Sequence, residues 1–236
     1  MRRVILSLVK PSATAEITVG ASNALRIEMI LGGDNKHDYP IVTHDDGDLL
    51  AATVHVNIDG FDTGGGLSLV NTGWTEVTAL ETSVPNRMIG LFYKVASSEP
   101  ANFEMENLTT IGVTTSVIMT AYKGVHADVF DVTPISAHGE NHINDSNTPT
   151  ADAITSLTPN ALFHIAHTAI SDWATAVPPV GYTELGEENT SSNVLSAFSC
   201  YKPLPTAGLE TPGAMRHTEG LGGNDSITIS YILKPA

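Results

Sequence analysis

The sequence predicts an all-β protein: an antiparallel β-sandwich, jelly-roll-like, with an internal duplication. Apolar and polar residues alternate at period 2 along much of the chain, whereas helical periodicity is weak. Gly, Asn, Asp and Pro recur at close spacing between the short apolar segments, as turns between strands require. A strand–loop–strand unit from Gly73 to Lys94 returns from Gly181 to Lys202 at a constant offset (181 − 73 = 202 − 94 = 108). Together these observations favour a sandwich built from two related halves.

The N-terminal part of the chain contains three segments typical of strands. Val4–Val9 is a mostly apolar run ended by Lys10-Pro11. It is shorter than the roughly 7–15 residues of a secretory signal core, so it is interpreted as a strand. Leu25 to Met29 alternates as a half-buried strand does. From Leu50 to Ile58 every second residue is apolar, and His55 falls on the opposite, polar face, where we expect it to be exposed to solvent.

The remaining elements follow in the same style. Val117 to Tyr122 is a mostly apolar run suited to a buried strand. Residues from about 138 to 159 are polar and predict an excursion between the halves, with a short helix near Asp152 to Leu157. Leu162 to Thr168 and the alternating Ile227 to Leu233 predict strands of the second half.

Matching positions in the two halves define the predicted domain organisation. His55 and His167 match at an offset of 167 − 55 = 112, and Lys123 and Lys234 at 234 − 123 = 111. Loop insertions between duplicated strands produce such small changes of offset; chance matching of common strand and turn residues is the alternative. We predict an N-terminal region of strands and attachment arm at 1–45, packed on one sandwich at 46–236. That sandwich consists of halves at about 46–137 and 159–236, joined by a polar loop.

The charge balance and the cysteine content exclude several classes of protein. There are 26 acidic and 11 basic residues, a formal net charge of −15. A nucleic-acid surface needs clustered Lys and Arg, so nucleic acid is not an expected partner. The single cysteine, Cys200, permits neither an intrachain disulfide nor a thiolate metal cluster. No apolar stretch approaches the roughly 20 residues of a membrane helix, so membrane insertion is not expected.

The best candidates for metal ligands lie in the polar loop, at His138, His142 and Asp145. Gly139 and Asn141 disfavour the helix that would place the two histidines on one face, and a metal site needs three or four ligands with supporting partners. A solvated loop is therefore preferred, and no metal or cofactor is predicted. His164 and His167 lie three apart on a predicted strand and point to opposite faces, so they cannot chelate one ion.

No catalytic residue is predicted. Adjacent carboxylates such as Glu187-Glu188 occupy predicted turns and do not indicate a glycosidase pair, which needs a separation of about 5–9 Å across a cleft. Cys200 lies mid-strand and is interpreted as a packed, unreactive thiol. Trp173 is a candidate contact for a glycan. Trp74 and Tyr182 occupy matched positions in the repeat, which favours a packing role over sugar stacking.

Five short motifs occur in a fixed order over about a third of the chain. They are Asp46-Gly47-Asp48-Leu49-Leu50, Gly73-Trp74-Thr75, Leu91-Phe92-Tyr93-Lys94, Ser98-Glu99-Pro100-Ala101 and Ala121-Tyr122-Lys123-Gly124-Val125. As a set they resemble a loose group of structural proteins from tailed bacteriophages and prophages, found among tail-fibre, tail-tip and head-associated proteins. The second half carries a diverged version, with Pro159-Asn160 in place of the acidic turn, and residues 1–45 lie outside the resemblance.

The resemblance implies a β-sandwich in a virion structural protein without catalytic residues. The expected function is that of a non-enzymatic protein on the particle surface, a head decoration or a fibre or tail accessory protein, assembled in the host cytoplasm. Its partners would be other capsid or tail proteins and copies of itself. Residues 1 to about 19 are the expected attachment arm. A carbohydrate-binding, lectin-like module that contacts host glycans is the alternative, and a glycan hydrolase on the same fold is a third possibility.

Overall fold

The computed structural model describes residues 16–28, 36–58, 67–69, 73–81, 87–107, 113–138, 150–169, 176–189, 196–217 and 226–236. In these ranges all regular structure is β-strand and every strand pairing is antiparallel, which confirms the predicted fold class. The strands of the first half are β1 (Thr18–Glu28), β2 (Lys36–Pro40), β3 (Leu49–Ile58), β4 (Leu67–Leu69), β5 (Thr75–Glu81), β6 (Arg87–Val95), β7 (Asn102–Asn107) and β8 (Val113–Lys123). The strands of the second half are β9 (Val125–Phe130), β10 (Ile135–His138), β11 (Ile154–Ser156), β12 (Ala161–Ala169), β13 (Ala176–Val177), β14 (Thr183–Asn189), β15 (Ser196–Leu204), β16 (Gly208–Glu210), β17 (Arg216–His217) and β18 (Ser226–Pro235).

Each half has one large sheet and a smaller set of strands. The large sheets have the orders β1-β8-β3-β6-β5 and β10-β18-β12-β15-β14, with β9 also paired to β18. The small sheet of the first half is β2-β7-β4, and its counterparts in the second half are the ribbons β11-β16 and β13-β17. In both halves the chain therefore passes between the large and small sheets in the same order when β9 with β10, and β16 with β17, are each counted as one strand. That alternation is jelly-roll connectivity, and its repetition supports a duplication of the whole unit.

The pairing register fixes which residues correspond. β5 and β14 each contain a bulge, between Glu76 and Thr78 and between Glu184 and Gly186, at the offset of 108 found for the repeated unit. Lys94 pairs with Leu50 and Lys202 with Phe163, so β3 and β12 correspond at 163 − 50 = 113. The left-handed turn positions before these strands, Gly47 (φ 90°) and Asn160 (φ 61°), agree with that offset.

The core has three parts, stacked between four layers of strands. The middle part lies between the two large sheets and contains residues of both halves, among them Leu49, Leu91, Leu162 and Leu233. A second part lies between the large and small sheets of the first half. The third occupies the same place in the second half. Each large sheet is therefore buried on both faces, and the middle core joins the two halves.

His55 was expected to be exposed to solvent, but it is buried because the first large sheet is covered on both faces. Leu50 and Val54 face the core of the first half, while Leu49 and Ala51 face the middle core. His55 shares the face of Leu49 and is 0% exposed. The predicted correspondence of His55 with His167 in the repeat is also wrong, since an offset of 113 makes Thr168 the counterpart of His55.

One further expectation differs from the structure. Residues 154–156 form the short strand β11, paired with β16, where a helix was expected. Isoleucine and threonine in this segment suit a strand, and the two-residue alternation places Ile154 and Ser156 inward. β1 pairs with β8 and β2 with β7, so residues 18–40 contribute strands to the sheets of the first half. Likewise β9 and β10 pair with β18, so residues 125–138 join the sheet of the second half.

Candidate functional site at the motif-bearing end of the fold

The motifs of the first half meet at one end of its large sheet. Leu49 begins β3 opposite Val95, near the end of β6, and opposite Tyr122, near the end of β8. The acidic turn before β3, the segment after β6 and the last residues of β8 are therefore neighbours in space. Motif residues at these strand ends take part in two sets of hydrogen bonds and ion pairs, one at the acidic turn and one after β6.

The turn before β3 is closed by its own side chains and by the strand beside it. The Asp45 amide donates to Asp48 Oδ2 at 2.9 Å, and the Asp48 amide donates to the Asp45 carbonyl at 3.1 Å. Gly47, with φ of 90°, donates its amide to the Ala96 carbonyl at 2.9 Å. Asp46 Oδ1 accepts from the Ser98 amide at 3.1 Å, which ties the turn to the segment after β6. Asp and Gly are needed here for side-chain acceptors and a left-handed backbone.

Lys123 links the end of β8 to this turn. Its ammonium forms an ion pair with Asp45 and lies 3.9 Å from Asp48 Oδ2. The hydrogen bond and charge of Lys123 lower the pKa of Asp45, and the same contact raises the pKa of Lys123. Asp45 and Lys123 are 76% and 53% exposed in their side chains, so water screens this pair.

A second, better buried ion pair lies after β6. Lys94 Nζ donates to Glu99 Oε2 at 2.7 Å, with side chains 20% and 0% exposed. Glu99 Oε1 accepts from the Ser97 amide at 3.0 Å. A Cβ added at Gly73, whose φ is 88°, would lie 3.2 Å from Lys94 Cε, so the glycine makes room for the lysine stem. The following residue, Trp74, packs edge-on against Phe103 with ring centroids 4.8 Å apart.

The second half repeats this arrangement with different partners. Gly181 has φ of 86°, and Tyr182 packs edge-on against Phe163 at 5.8 Å, as Trp74 packs on Phe103. Lys202 Nζ donates to Glu210 Oε1 at 2.7 Å, and the Tyr182 hydroxyl donates to the same oxygen at 3.0 Å. Burial, followed by the charge and hydrogen bond of Glu210, raises the pKa of Tyr182. The packing role predicted for Trp74 and Tyr182 therefore agrees with their surroundings.

The terminal lysine of the second half also has a carboxylate partner. Lys234 Nζ lies 3.1 Å from Asp128 Oδ2, where Lys123 has Asp45. The two ends are adjacent, since the Ala236 amide donates to the Gly124 carbonyl at 2.9 Å. The lysines keep their positions in the repeat, whereas their carboxylates come from different strands and loops. Each half therefore has an ion pair between a lysine near the end of its last strand and a carboxylate of a neighbouring segment.

The candidate site residues from the sequence fall into two groups. His142, Asp145 and Trp173 lie outside the described residues, and for His138 only the strand position at the end of β10 is described. Within the described ranges, no group of three or more His, Cys, Asp or Glu is placed to hold a metal ion. His164 and His167 point to opposite faces of β12, as predicted: His164 contacts Tyr122 of the other sheet and His167 contacts Thr228 of its own.

Burial affects the pKa of Cys200 and of Glu184, which pairs with Cys200 from the neighbouring strand β14. Cys200 is 0% exposed, and burial, with a smaller effect of the Glu184 charge, raises the pKa of its thiol. Glu184 lies on strand β14, and burial followed by the charge of Glu187 raises its pKa. Glu187 Oε1 accepts from the Ala176 amide at 2.5 Å, which fastens β13 to β14. Glu187 and Glu188 are thus strand residues, where turns were expected.

The sequence did not single out the most unusual cluster of titratable side chains. His164 lies between the large sheets with three tyrosines, and its Nε2 is 2.6 Å from the Tyr122 hydroxyl. Tyr201 and Tyr231 are its direct neighbours across the strands. Each residue falls on an alternating strand, but only the register shows that the four rings meet. No pairwise spacing in the chain carries that information.

One open groove lies beside the second ion pair. It has a volume of about 350 Å³ and is lined by the segment from Lys202 to Glu210. Leu209 is 68% exposed there, next to the polar atoms of Lys202 and Glu210. The lining therefore offers an apolar contact together with a hydrogen-bond donor and an acceptor.

Comparison with protein-family models, with curated proteins and with solved structures finds no match. Within the part of the chain that the structure describes, no helix has the length and apolar character needed to cross a membrane.

Proposed function

We propose that the chain is a non-enzymatic structural protein of a tailed-bacteriophage particle. It would sit on the particle surface as a head decoration or as a fibre or tail accessory protein, and act through protein–protein interfaces. The proposal begins with the resemblance of five ordered motifs to phage structural proteins. It gains support from what those motifs do in the fold.

The observation that carries the proposal is the network at the end of the first half. Asp46, Gly47 and Asp48 close the turn before β3, and Lys123 joins it from β8. Lys94 and Glu99 form the buried ion pair after β6. Most of the motif positions therefore have a fold-building role that a family of otherwise different structural proteins can share. Jelly rolls also recur in viral capsid proteins, although fold likeness alone is an analogy.

The surface chemistry suits attachment through assembled interfaces. The net charge of −15 makes free copies repel one another at low salt, so association requires specific contacts that outweigh this repulsion. Residues 1–15 carry Arg2, Arg3 and Lys10 and no acidic residue. We propose this segment as the attachment arm. The proposed arm stops before residue 16, although the sequence suggested residues 1 to about 19, because Ile17 is buried in the middle core and Thr18 begins β1.

Electron microscopy of particles tests the proposal. Phage or prophage particles that encode this chain would be imaged with and without it, and the difference density should fit the two-jelly-roll body on the surface. A chain lacking residues 1–15 should keep the urea midpoint of the full chain but fail to decorate particles. Particles that lack the protein altogether, or that carry it only inside, would contradict the proposal.

A lectin-like role is the second candidate, and the groove beside Lys202 and Glu210 favours it. Sugar binding needs both hydrogen-bonding groups and an apolar contact, and Leu209 supplies the latter. Glycan-array binding measures this directly. Saturable binding lost in Leu209→Asp, or in Trp173→Ala, would favour the lectin over the structural role. The exposed Leu157, which is 67% exposed and lies outside the groove lining, provides the control variant Leu157→Asp.

A further inference from the structure

We propose that the contact between His164 and Tyr122 is a proton-sensitive latch, and that acidification opens the layer between the two large sheets. The latch belongs to the fold itself and does not depend on the proposed place of the protein in a particle. The latch depends on three features. A hydrogen bond crosses the layer between the large sheets, and the His164 ring has no compensating charge beside it among the described residues. Each half also has a core of its own.

The hydrogen bond joins the two halves. Tyr122 belongs to β8 of the first large sheet and His164 to β12 of the second. The Tyr122 hydroxyl and His164 Nε2 are 2.6 Å apart, and both residues are 1% exposed. Burial raises the pKa of Tyr122 well above its ordinary value, so the phenol keeps its proton. The contact is therefore between two neutral groups that are buried between the sheets.

The groups that face the imidazole are phenol rings. Tyr231 of β18 stacks on His164 with centroids 4.7 Å apart and planes 11° apart. Tyr201 of β15 lies 6.1 Å away at 23°, and Tyr122 meets the ring edge-on at 5.2 Å and 85°. Leu162 and Ala166 flank it on the same face of β12. Among the described residues, these three tyrosines are the titratable groups in contact with His164, and none of them supplies a negative charge near neutral pH.

Protonation is unfavourable in these surroundings. His164 Nδ1 is buried and has no hydrogen-bond partner among the described residues. An imidazolium would have a second donor without an acceptor and a charge without a counterion. Burial accordingly lowers the pKa of His164 to about 3. In the open state the exposed ring has a pKa near 6.5 and therefore binds more protons than in the closed state. The closed state is fully favoured above pH 6.5 and loses stability as the pH falls toward 3.

Opening the layer between the sheets would leave the core of each half in place. Each half keeps a separate core between its large and small sheets, with Phe92 and Phe103 in one and Phe163 and Phe198 in the other. His55 is also on the inner face of the first large sheet, and burial lowers its pKa to about 3. It hydrogen-bonds Thr53 at 3.3 Å and lies opposite Ser116 and Ile89 in the sheet. Acid therefore acts on the shared layer from both sheets.

The experiment follows the full chain from pH 7.5 to 3.5 by small-angle X-ray scattering and far-ultraviolet circular dichroism. We expect the radius of gyration to increase reversibly while the β-sheet signal is retained. His164→Gln keeps an amide near the position of Nε2 and takes up no proton. It should lower the midpoint of the expansion and reduce the number of protons taken up by about one. His126→Gln changes an exposed histidine outside the layer and should leave the midpoint unchanged.

Two more measurements separate the latch from a merely structural histidine. Tyr122→Phe removes the hydroxyl but no titrating imidazole, so it should destabilise the closed state at every pH and leave the proton uptake as it was. Nuclear magnetic resonance of the wild-type histidines needs no variant: the buried rings of His164 and His55 should both remain neutral until the expansion begins. An ordinary midpoint near 6.5 in the closed state, an unchanged transition in His164→Gln, or loss of the β-sheet signal together with the expansion would overturn the proposal.

Discussion

Single glycines set the geometry of both repeats. Gly73 and Gly181 have φ of 88° and 86°, a left-handed backbone that costs other residues about 1–2 kcal/mol. At Gly73 a side chain would also crowd Lys94, whose Cε lies 3.2 Å from the Cβ position, whereas at Gly181 the nearest atom, Lys202 Cε, is 4.0 Å away. The two positions are therefore equivalent in backbone but not in surroundings.

Alanine substitutions test that difference. Gly181→Ala should lower the free energy of unfolding by about 1–2 kcal/mol through backbone strain. Gly73→Ala should cost more, because the ion-paired Lys94 must also move. Urea unfolding of each variant measures both values. Gly213→Ala is the control, since its Cβ would meet only Pro179 at 3.9 Å and no left-handed φ is required. Equal losses at positions 73 and 213 would contradict the assignment.

The ion pair of Lys94 and Glu99 is expected to contribute more than its counterpart in the second half. Glu99 has a side chain that is 0% exposed, whereas that of Glu210 is 15% exposed and also accepts from Tyr182. Removing a buried partner leaves an uncompensated charge and costs about 3–5 kcal/mol. We expect Lys94→Met to approach that range in urea unfolding and Lys202→Met to fall well below it. A smaller loss at position 94 than at position 202 would show that water reaches Glu99.

At the scale of elements, the two large sheets are in close contact at the bulge of β14. A Cβ added at Gly186 would lie 2.9 Å from Ala24 Cβ and 3.3 Å from Ile118 Cγ2. Ala24 and Ile118 belong to β1 and β8 of the other sheet. Because Gly186 has no side chain, strand β14 can pack directly against β1 and β8 of the first half.

A double-mutant cycle tests this contact between strands. Gly186→Ala should destabilise the protein by about 1–3 kcal/mol, the usual cost of overpacking. Ala24→Gly removes the opposing methyl group and should recover part of that loss in the double variant, beyond the cost of a glycine in a strand. The coupling free energy from thermal or urea unfolding should thus be favourable by at least about 0.5 kcal/mol. Strictly additive effects would mean that Ala24 does not meet position 186.

Strands were predictable where alternation and turns are local signals, and less so where register decides. The repeat at Gly73 and Gly181 marked β5, β6, β14 and β15, and the fold class followed from period 2. The environment of His55 was not predictable, because polar residues on one face of β3 suggest solvent until the second large sheet covers them. For the same reason the meeting of His164 with three tyrosines could not be read from spacing. Long-range pairing places them together.

At the scale of the whole molecule, charge opposes contact between copies. The net charge is −15, while Lys94, Lys123, Lys202 and Lys234 are each engaged by a carboxylate of their own chain. Residues 16–236 carry all 26 acidic residues and eight of the 11 basic ones. Residues 1–15 hold the other three basic residues. Charge thus acts in two opposite ways when copies approach: the acidic residues of 16–236 repel one another, and the basic residues of 1–15 are attracted to the acidic residues of another copy.

Light scattering at different salt concentrations distinguishes these forces. Salt at about 0.5 M reduces the Debye length to a few ångströms, against roughly 20 Å at 0.02 M, and so weakens both. If copies associate body to body, the weight-average mass should rise with salt, because the repulsion is screened while apolar contacts remain. Deleting residues 1–15 should leave that rise in place. A mass that falls with salt in the full chain, and no longer does so without residues 1–15, would instead assign self-association to the basic residues of that segment. Because the deletion keeps Ile17 and β1, an unchanged urea midpoint would show that the fold itself is not the cause.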